Sequence, residues 1–336
     1  MRRKLQFTSN SGLCRDSIQP TIYAETSQAE MTGIQHFYTA YGLTIGSEIP
    51  LSYVKEIKPT RADLTIRRGK LPPAPPWQDT KLYRAGLQAQ IAHQDPNRIW
   101  LNWGPLGQFM ALEGNELIVE TTTTDAGLLS LFTMSEAVGL LLFQRGDFLL
   151  HGSAIQLHHK GIVFVGQPGA GKSTTVAAFA NRGIRIMSDD MVCIRVDAWG
   201  KPTLVPAFSQ IKIWEESVDG LQLTKGELDL VREGANKFSW HESVSFEENA
   251  VPLEQIFVLT PSGEAAGTMA EVPMSQRPIE LLSYFPLPDS LLQGEALRNH
   301  FEKSIRIART TSLHTLSRPA TFAKLYDFVD YLKTTD

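Results

Sequence analysis

The residues best suited to chemistry form one short loop, GQPGAGKS at positions 166–173, which fits the pattern G-x-x-x-x-G-K-[ST] at every fixed position. Glycines let such a loop curl so that successive backbone N–H groups point at phosphate oxygens. Lys172 supplies a full positive charge for the β- and γ-phosphates, and the Ser173 hydroxyl is suited to magnesium. The loop predicts a site for ATP or another nucleoside triphosphate.

The flanks of the loop favour this interpretation over a glycine-rich turn that matches by chance. Residues 161–165 are apolar and β-branched, as in a buried parallel strand, and residues 174–181 have helical spacing. A strand, a phosphate loop and a helix in this order place unpaired backbone N–H groups and a partial positive charge at the ligand. The predicted nucleotide contacts are Gly166, Gly169, Ala170, Gly171, Lys172, Ser173 and Thr174.

A pair of carboxylates, Asp189 and Asp190, ends the next predicted strand, residues 184–188. Carboxylates at the carboxyl end of such a strand lie where ligands bind in α/β folds. Successive side chains on a strand point to opposite faces, so only one faces the phosphates unless the chain turns there. An exposed acidic turn is the alternative.

These motifs together resemble the catalytic core of the HPr kinase/phosphorylase family. The resemblance rests on residues 151–154 (HGSA), the loop at 166–173, residues 182–183 (RG) and residues 188–190 (SDD). Residues 41–51 and 211–214 resemble more closely the stand-alone HPr-kinase-like proteins, which carry a different N-terminal domain. The similarity spans about residues 35–70 and 145–260.

The resemblance implies an HPr-kinase-like (PEP-carboxykinase-like) P-loop domain that uses ATP and Mg²⁺ to phosphorylate a serine hydroxyl. It implies that Asp189 is the general base, that Ser173 and Asp190 hold the metal, and that His151 lies in the same site. Lys212 and Lys237 are candidates for stabilising transition-state charge, although a solvated surface position is favoured for each.

The acceptor implied by the resemblance is a serine of a peptide or protein. Stand-alone relatives of this type are associated with tailoring of ribosomally made peptides, including lasso peptides. Two alternatives remain: a kinase of a small hydroxylated metabolite, and a nucleotide-responsive regulatory module with weak ATPase activity.

Composition narrows the class of protein. The 336 residues are long enough for two domains, and a net charge of -4 does not favour a nucleic-acid partner. The longest uninterrupted apolar run is too short to span a bilayer, so no membrane partner is expected. Two cysteines, of which Cys193 has the surroundings of a core residue, fit a reducing cytoplasm. A homo-oligomer is left open.

The predicted architecture is an α/β chain in three parts. Residues 1–33 are polar and predict a flexible leader, residues 34–125 a β-rich domain, and residues 126–336 the nucleotide-binding domain. An apolar helix over 128–144 should lie between the two domains or on the sheet of the second. Strand-like segments are expected at 37–45, 63–66, 89–92, 98–103, 108–112, 116–121, 253–260 and 313–316, and helices at 279–283, 295–308 and 320–332.

Overall fold

The strands and helices come from a computed structural model that describes residues 33–231, 236–241, 244–260, 267–319 and 321–334. The predicted leader therefore lies outside the described residues, except for Gly33. The strands are β1 (His36–Ala40), β2 (Leu43–Ser47), β3 (Lys55–Glu56), β4 (Leu64–Arg68), β5 (Gln78–Arg84), β6 (Leu87–Asp95), β7 (Arg98–Asn102), β8 (Gln108–Leu112), β9 (Glu116–Glu120), β10 (Phe148–Leu157), β11 (Lys160–Gly166), β12 (Arg185–Ser188), β13 (Met191–Val196), β14 (Pro202–Val205), β15 (Ile211–Trp214), β16 (Leu228–Leu230), β17 (Lys237–Trp240), β18 (Val251–Thr260), β19 (Met269–Glu271) and β20 (Ser312–Ser317).

The helices lie mainly in the second half of the chain. They are α1 (Ala126–Phe132), α2 (Val138–Gln144), α3 (Lys172–Asn181), α4 (Glu215–Gly220), α5 (Arg277–Leu282), α6 (Gly294–Thr310) and α7 (Phe322–Thr334). Strands and helices together make a mixed α/β structure with several sheets. Residues 34–336 group into one compact unit, and the division near residue 125 stays a prediction.

The first nine strands form one sheet in the order β3-β1-β2-β4-β9-β8-β7-β6-β5. The segment predicted as one strand at 37–45 is a hairpin, because Tyr41 and Gly42 have φ of 54° and 63° and turn the chain between β1 and β2. The edge strand β5 was not predicted. Thr80 is the one buried residue of this strand, so the strand lacks the apolar alternation that would reveal it.

The second sheet positions the phosphate loop. Its eight strands follow the order β11-β10-β13-β14-β18-β20-β19, with β12 beside β10. Because β18 pairs with both β14 and β11, the sheet closes on itself. Strands β11, β18 and β20 run parallel, so their carboxyl ends share the edge from which the loop departs. A separate sheet, β15-β17-β16, carries Lys212 on β15.

An interrupted helix lies between the two large sheets. The helix predicted over 128–144 consists of α1, a π-helical turn over Thr133–Ala137 and α2, with Ser135 at the non-helical angles φ -89° and ψ -110°. Its apolar side chains share one core cluster with Phe109 of β8 and Leu149 of β10. The helix therefore packs against both large sheets, and its place between two separate domains stays a prediction.

The same stretch qualifies as a membrane span by length and composition. In the described part of the chain, Ala126–Gln144 has a mean hydropathy of 1.8, but 72% of its apolar window is buried inside the fold. Polar residues such as Ser130 and Glu136 interrupt the stretch, so its longest uninterrupted apolar run is too short to span a bilayer. Packing between two sheets explains its apolar character, and the lack of a membrane partner stays a prediction.

The strand before the phosphate loop depends on an aromatic cluster. Phe164 is fully buried in β11, with ring centroids 5.6 Å from Phe179 and 5.5 Å from Phe257. We expect Phe164→Ala to lower the free energy of unfolding by about 3–5 kcal/mol, because a cavity replaces the ring. Urea unfolding followed by circular dichroism measures this loss.

The matched control is Tyr83→Ala, whose residue is 69% exposed. Its unfolding free energy should change by less than about 0.5 kcal/mol. Equal stability of the two variants would contradict the packing described for Phe164.

Candidate active site

The phosphate loop joins the end of β11 to the start of α3. Gly169 and Gly171 have φ of 81° and 94°, a conformation that side-chain-bearing residues rarely adopt. Gly171 stands at the cap position of α3, so the first backbone N–H groups of that helix face the loop. The Ala170 N–H donates to Gln167 O at 3.0 Å and closes the turn. This is the strand, loop and helix arrangement that the motif predicted.

The Lys172 side chain lies inside the loop. Its ammonium donates to Gly166 O at 2.9 Å and to Gln167 O at 3.3 Å, and the residue is 7% exposed. Burial lowers the pKa of Lys172, and the nearby charges of Asp189 and Asp190 oppose that shift. The buried ammonium is therefore held in place by two carbonyl groups of the loop.

Asp189 is tied to the loop by short hydrogen bonds. Its Oδ1 accepts from Ser173 Oγ at 2.9 Å and from Ser153 Oγ at 2.6 Å, and its Oδ2 accepts from Lys212 N at 2.8 Å. The residue is 7% exposed. The carboxylate is therefore fixed beside the hydroxyl that the motif assigns to magnesium.

Asp190 reaches the same site because the chain turns at this residue. Its φ is 78°, outside the extended range, so the two adjacent carboxylates do not point to opposite faces. The Asp190 Oδ2 accepts from Lys212 Nζ at 3.0 Å and from Arg84 Nη2 at 3.0 Å. Burial alone would raise its pKa, but Lys212, Arg84 and His151 outweigh burial and hold the pKa of Asp190 well below its usual range.

His151 joins this group from β10. Its Nδ1 lies 3.1 Å from Asp190 O and 3.6 Å from Asp190 Oδ1, and its backbone N–H donates to Tyr284 O at 2.6 Å. Burial lowers the pKa of His151, and Asp190 partly offsets this. The imidazole thus lies against the turn that carries Asp190.

The two candidate lysines occupy different environments. Lys212 was expected at the surface, but its side chain is only 7% exposed because it pairs with Asp190. That expectation is wrong for Lys212. Lys237 lies on β17, with its ammonium 5.3 Å from the ring centroid of the exposed Trp214. The structure therefore brings Lys212, but not Lys237, to the carboxylates.

Thr174, the last predicted nucleotide contact, is engaged elsewhere. Its Oγ1 lies 2.8 Å from Ser217 Oγ of α4, and the residue is buried. The side chain therefore links α3 to α4, and its contact with nucleotide stays a prediction.

A small pocket beside the loop collects groups from both large sheets. Its polar lining comprises Tyr41, Arg84, Glu136, His151, Asp190 and Lys212, together with Asp189 and Ser135. Within the described residues, no group of three or more His, Cys, Asp or Glu side chains is placed to hold a metal by itself. The hydroxyl of Ser173 and the carboxylate of Asp189 nevertheless offer hard oxygen ligands. Mg²⁺ commonly binds a few such protein oxygens together with the phosphate oxygens of a nucleotide.

Three charged residues of the site have no sequence motif. Arg84 and Glu136 contact each other in the pocket although they come from separate elements. Arg318 follows β20, and a side-chain carbon added to Gly171 would meet its Cδ at 2.8 Å. Of the three, only Arg318 had a sequence signal for a place in the site. It follows the strand predicted at 313–316, near the edge where the parallel strands end.

Comparison with known proteins adds little to this geometry. No family model matches the chain, and no curated protein matches it. A solved structure that it resembles is the HPr(Ser) kinase/phosphatase from Coxiella burnetii, with 11% identity and a TM-score of 0.27. The match covers 55% of this chain and 92% of that one. Similarity of this degree establishes neither a family nor a shared fold.

Proposed function

We propose that this chain is an ATP- and Mg²⁺-dependent kinase with an HPr-kinase-like P-loop domain, and that it phosphorylates a hydroxyl group. The observation that carries the proposal is the hydrogen bond from Ser173 of the phosphate loop to Asp189, with Asp190 in the same pocket. A phosphate-binding loop alone is compatible with many activities. A phosphate loop that contacts Asp189, with Asp190 in an adjacent pocket, also offers a place where an acceptor hydroxyl could bind.

The loop supplies the nucleotide half of the site. Backbone N–H groups at the start of α3 and the Lys172 ammonium would bind the triphosphate. Ser173 and Asp189 would hold Mg²⁺, which neutralises charge on the phosphate oxygens when bound. Lys212 lies close enough to Asp190 to supply a further positive charge near the transferred group.

The transfer itself is a displacement at phosphorus. The acceptor oxygen forms a bond to the γ-phosphorus while the bond from that phosphorus to the β–γ bridging oxygen breaks, and the electron pair leaves with ADP. The hydroxyl proton passes to a carboxylate. Because phosphoryl transfer has a loose transition state, orienting the hydroxyl matters more than the strength of the base.

The hydrogen bonds favour exchanging the two carboxylate roles implied by the resemblance. Asp189 contacts Ser173 and is buried, whereas Asp190 is half-buried and contacts cations. We therefore assign Asp189 to the magnesium side and Asp190 to the acceptor hydroxyl. Asp190 then serves mainly to orient the hydroxyl, since its lowered pKa makes it a weak base.

The proposed acceptor is a serine of a peptide or protein in the cytoplasm. Two observations support it: the sequence motifs that resemble those of serine kinases, and a pocket at Asp190 that draws residues from both large sheets. Assembly into a homo-oligomer is compatible with this proposal but does not enter it.

The test is incubation with Mg²⁺ and ATP labelled at the γ-phosphate, in the presence of serine-containing peptides or small hydroxylated metabolites. Mass spectrometry then identifies any phosphorylated product. The proposal expects one labelled phosphate on a peptide serine. Label on a metabolite alone would show that the acceptor is a small hydroxylated metabolite rather than a peptide serine. Release of the label only as inorganic phosphate would favour a regulatory module.

A further inference from the structure

Arg84 brings a positive charge from the first sheet into the site of the second. It is the last residue of the edge strand β5, and its side chain is 10% exposed. Its Nη2 donates to Asp190 Oδ2 at 3.0 Å, across 106 positions of the sequence. The N-terminal sheet therefore contacts the carboxylate that we assign to the acceptor hydroxyl.

Glu136 fixes the orientation of this arginine. Arg84 Nε donates to Glu136 Oε2 at 3.1 Å, and Nη2 donates to Oε1 at 2.8 Å, so the guanidinium binds the carboxylate through two of its nitrogens. The Glu136 side chain is 9% exposed. A planar guanidinium can bridge two carboxylates in this way, whereas the single ammonium of a lysine has no equivalent fork.

Glu136 lies in the π-helical turn between α1 and α2. The turn includes Ser135, whose backbone angles are non-helical, and both residues line the pocket. Turns of this kind often occur at functional sites. Arg84, Glu136, Asp190 and Lys212 form a cluster of four charged groups, and burying charges together costs free energy. Proteins in which apolar side chains replace such a cluster are often equally stable, so stability alone does not explain it.

We infer that Arg84, oriented by Glu136, is a positioning residue that holds the Asp190 carboxylate toward the acceptor hydroxyl. The inference rests on the proposed function and extends it, because it makes the N-terminal sheet part of the kinase site. Lys212 donates to the same Asp190 oxygen at 3.0 Å. The carboxylate is thereby fixed between two cations from different sheets.

The test compares single-turnover transfer and Mg·ATP affinity in Arg84→Met, Arg84→Lys and Glu136→Gln. We expect transfer to fall by about 10–100-fold in Arg84→Met, the range seen when a supporting group of a site is removed. Mg·ATP affinity should stay within about twofold, because the contacts of Arg84 with Glu136 and Asp190 lie on the acceptor side of the proposed site. Arg98→Met, at an exposed position on β7, is the matched control and should transfer at the wild-type rate.

A second comparison separates positioning from a merely structural role. If Arg84 acts through Asp190, then adding Arg84→Met to an Asp190→Asn protein should cause little further loss of transfer. Methylguanidinium should also partly restore transfer in an Arg84→Ala protein, in which the truncated side chain leaves room for it. Independent losses that multiply in the double variant would overturn the inference.

The other possible results of these experiments also test the inference about Arg84. Should Arg84→Met fail to fold, Arg84→Lys gives the answer, since a folded lysine variant with wild-type transfer would overturn the inference. Wild-type transfer in Arg84→Met would do the same while leaving the proposed function intact. A wild-type protein that transfers no phosphate would remove the proposed function and this inference together.

Discussion

Replacing Lys172 by alanine is expected to abolish most Mg·ATP binding and nearly all phosphoryl transfer. The ammonium is buried in the loop and fixed by two carbonyl groups. Each lost hydrogen bond to a charged group is worth roughly 1.5–3 kcal/mol, so affinity should fall by at least about tenfold. The transfer rate should fall by about 10²–10³-fold, as it does when one transition-state donor is removed.

Calorimetric titration with Mg·ATP measures the affinity, and thermal unfolding checks that the fold is retained. The matched control is Lys160→Ala, at the opposite end of β11, where the side chain is 48% exposed and pairs with Glu254. This control should bind Mg·ATP like the wild type. Equal binding by the Lys172 variant would rule out the nucleotide role of the loop.

The second large effect is expected when Asp189 or Asp190 is replaced by asparagine. The two replacements should impair different steps. Asparagine keeps the shape of each side chain but removes its charge. Asp190→Asn should slow transfer by about 10²–10⁴-fold with little change in Mg·ATP affinity, because it loses proton acceptance and hydroxyl orientation. Asp189→Asn should weaken Mg·ATP binding, and higher magnesium should partly restore it.

Single-turnover transfer and Mg·ATP binding at two magnesium concentrations separate these outcomes. Thermal unfolding of both variants controls for the loss of partners around Asp190. The opposite pattern, with magnesium rescue only at Asp190, would restore the assignment implied by the resemblance. Full transfer in both variants would end the proposed mechanism.

The sequence was most informative where the signal is local. The strand before the loop, the helix after it and the strand leading to Asp189 depend on residue types within a few positions. The buried Cys193 was likewise predicted from its apolar neighbours. Periodicity and glycine placement are properties of a short segment, so they can be read without knowledge of the fold.

The parts that could not be predicted depend on long-range contacts. Nothing near Arg84 indicates that it meets Asp190, since the contact requires two sheets to come together. Lys212 was expected in solvent because an isolated lysine favours water, and only its partner explains its burial. The turn at Asp190 requires a positive φ that the residue type alone does not specify.

The interrupted helix has a similar explanation. Apolar periodicity over 128–144 predicts a continuous helix, and it gives no sign of the π-helical turn that brings Glu136 to Arg84. The turn is explained by tertiary contacts, which are not encoded in the spacing of apolar residues.

The most direct test of the account follows the γ-phosphate of ATP in a single turnover, with enzyme in excess and a peptide acceptor present. We predict that labelled phosphate appears on a serine hydroxyl together with an equal amount of ADP, and that Asp190→Asn slows both. Retention of the label on ATP, or its release only as inorganic phosphate, would contradict the claim that this chain is a kinase.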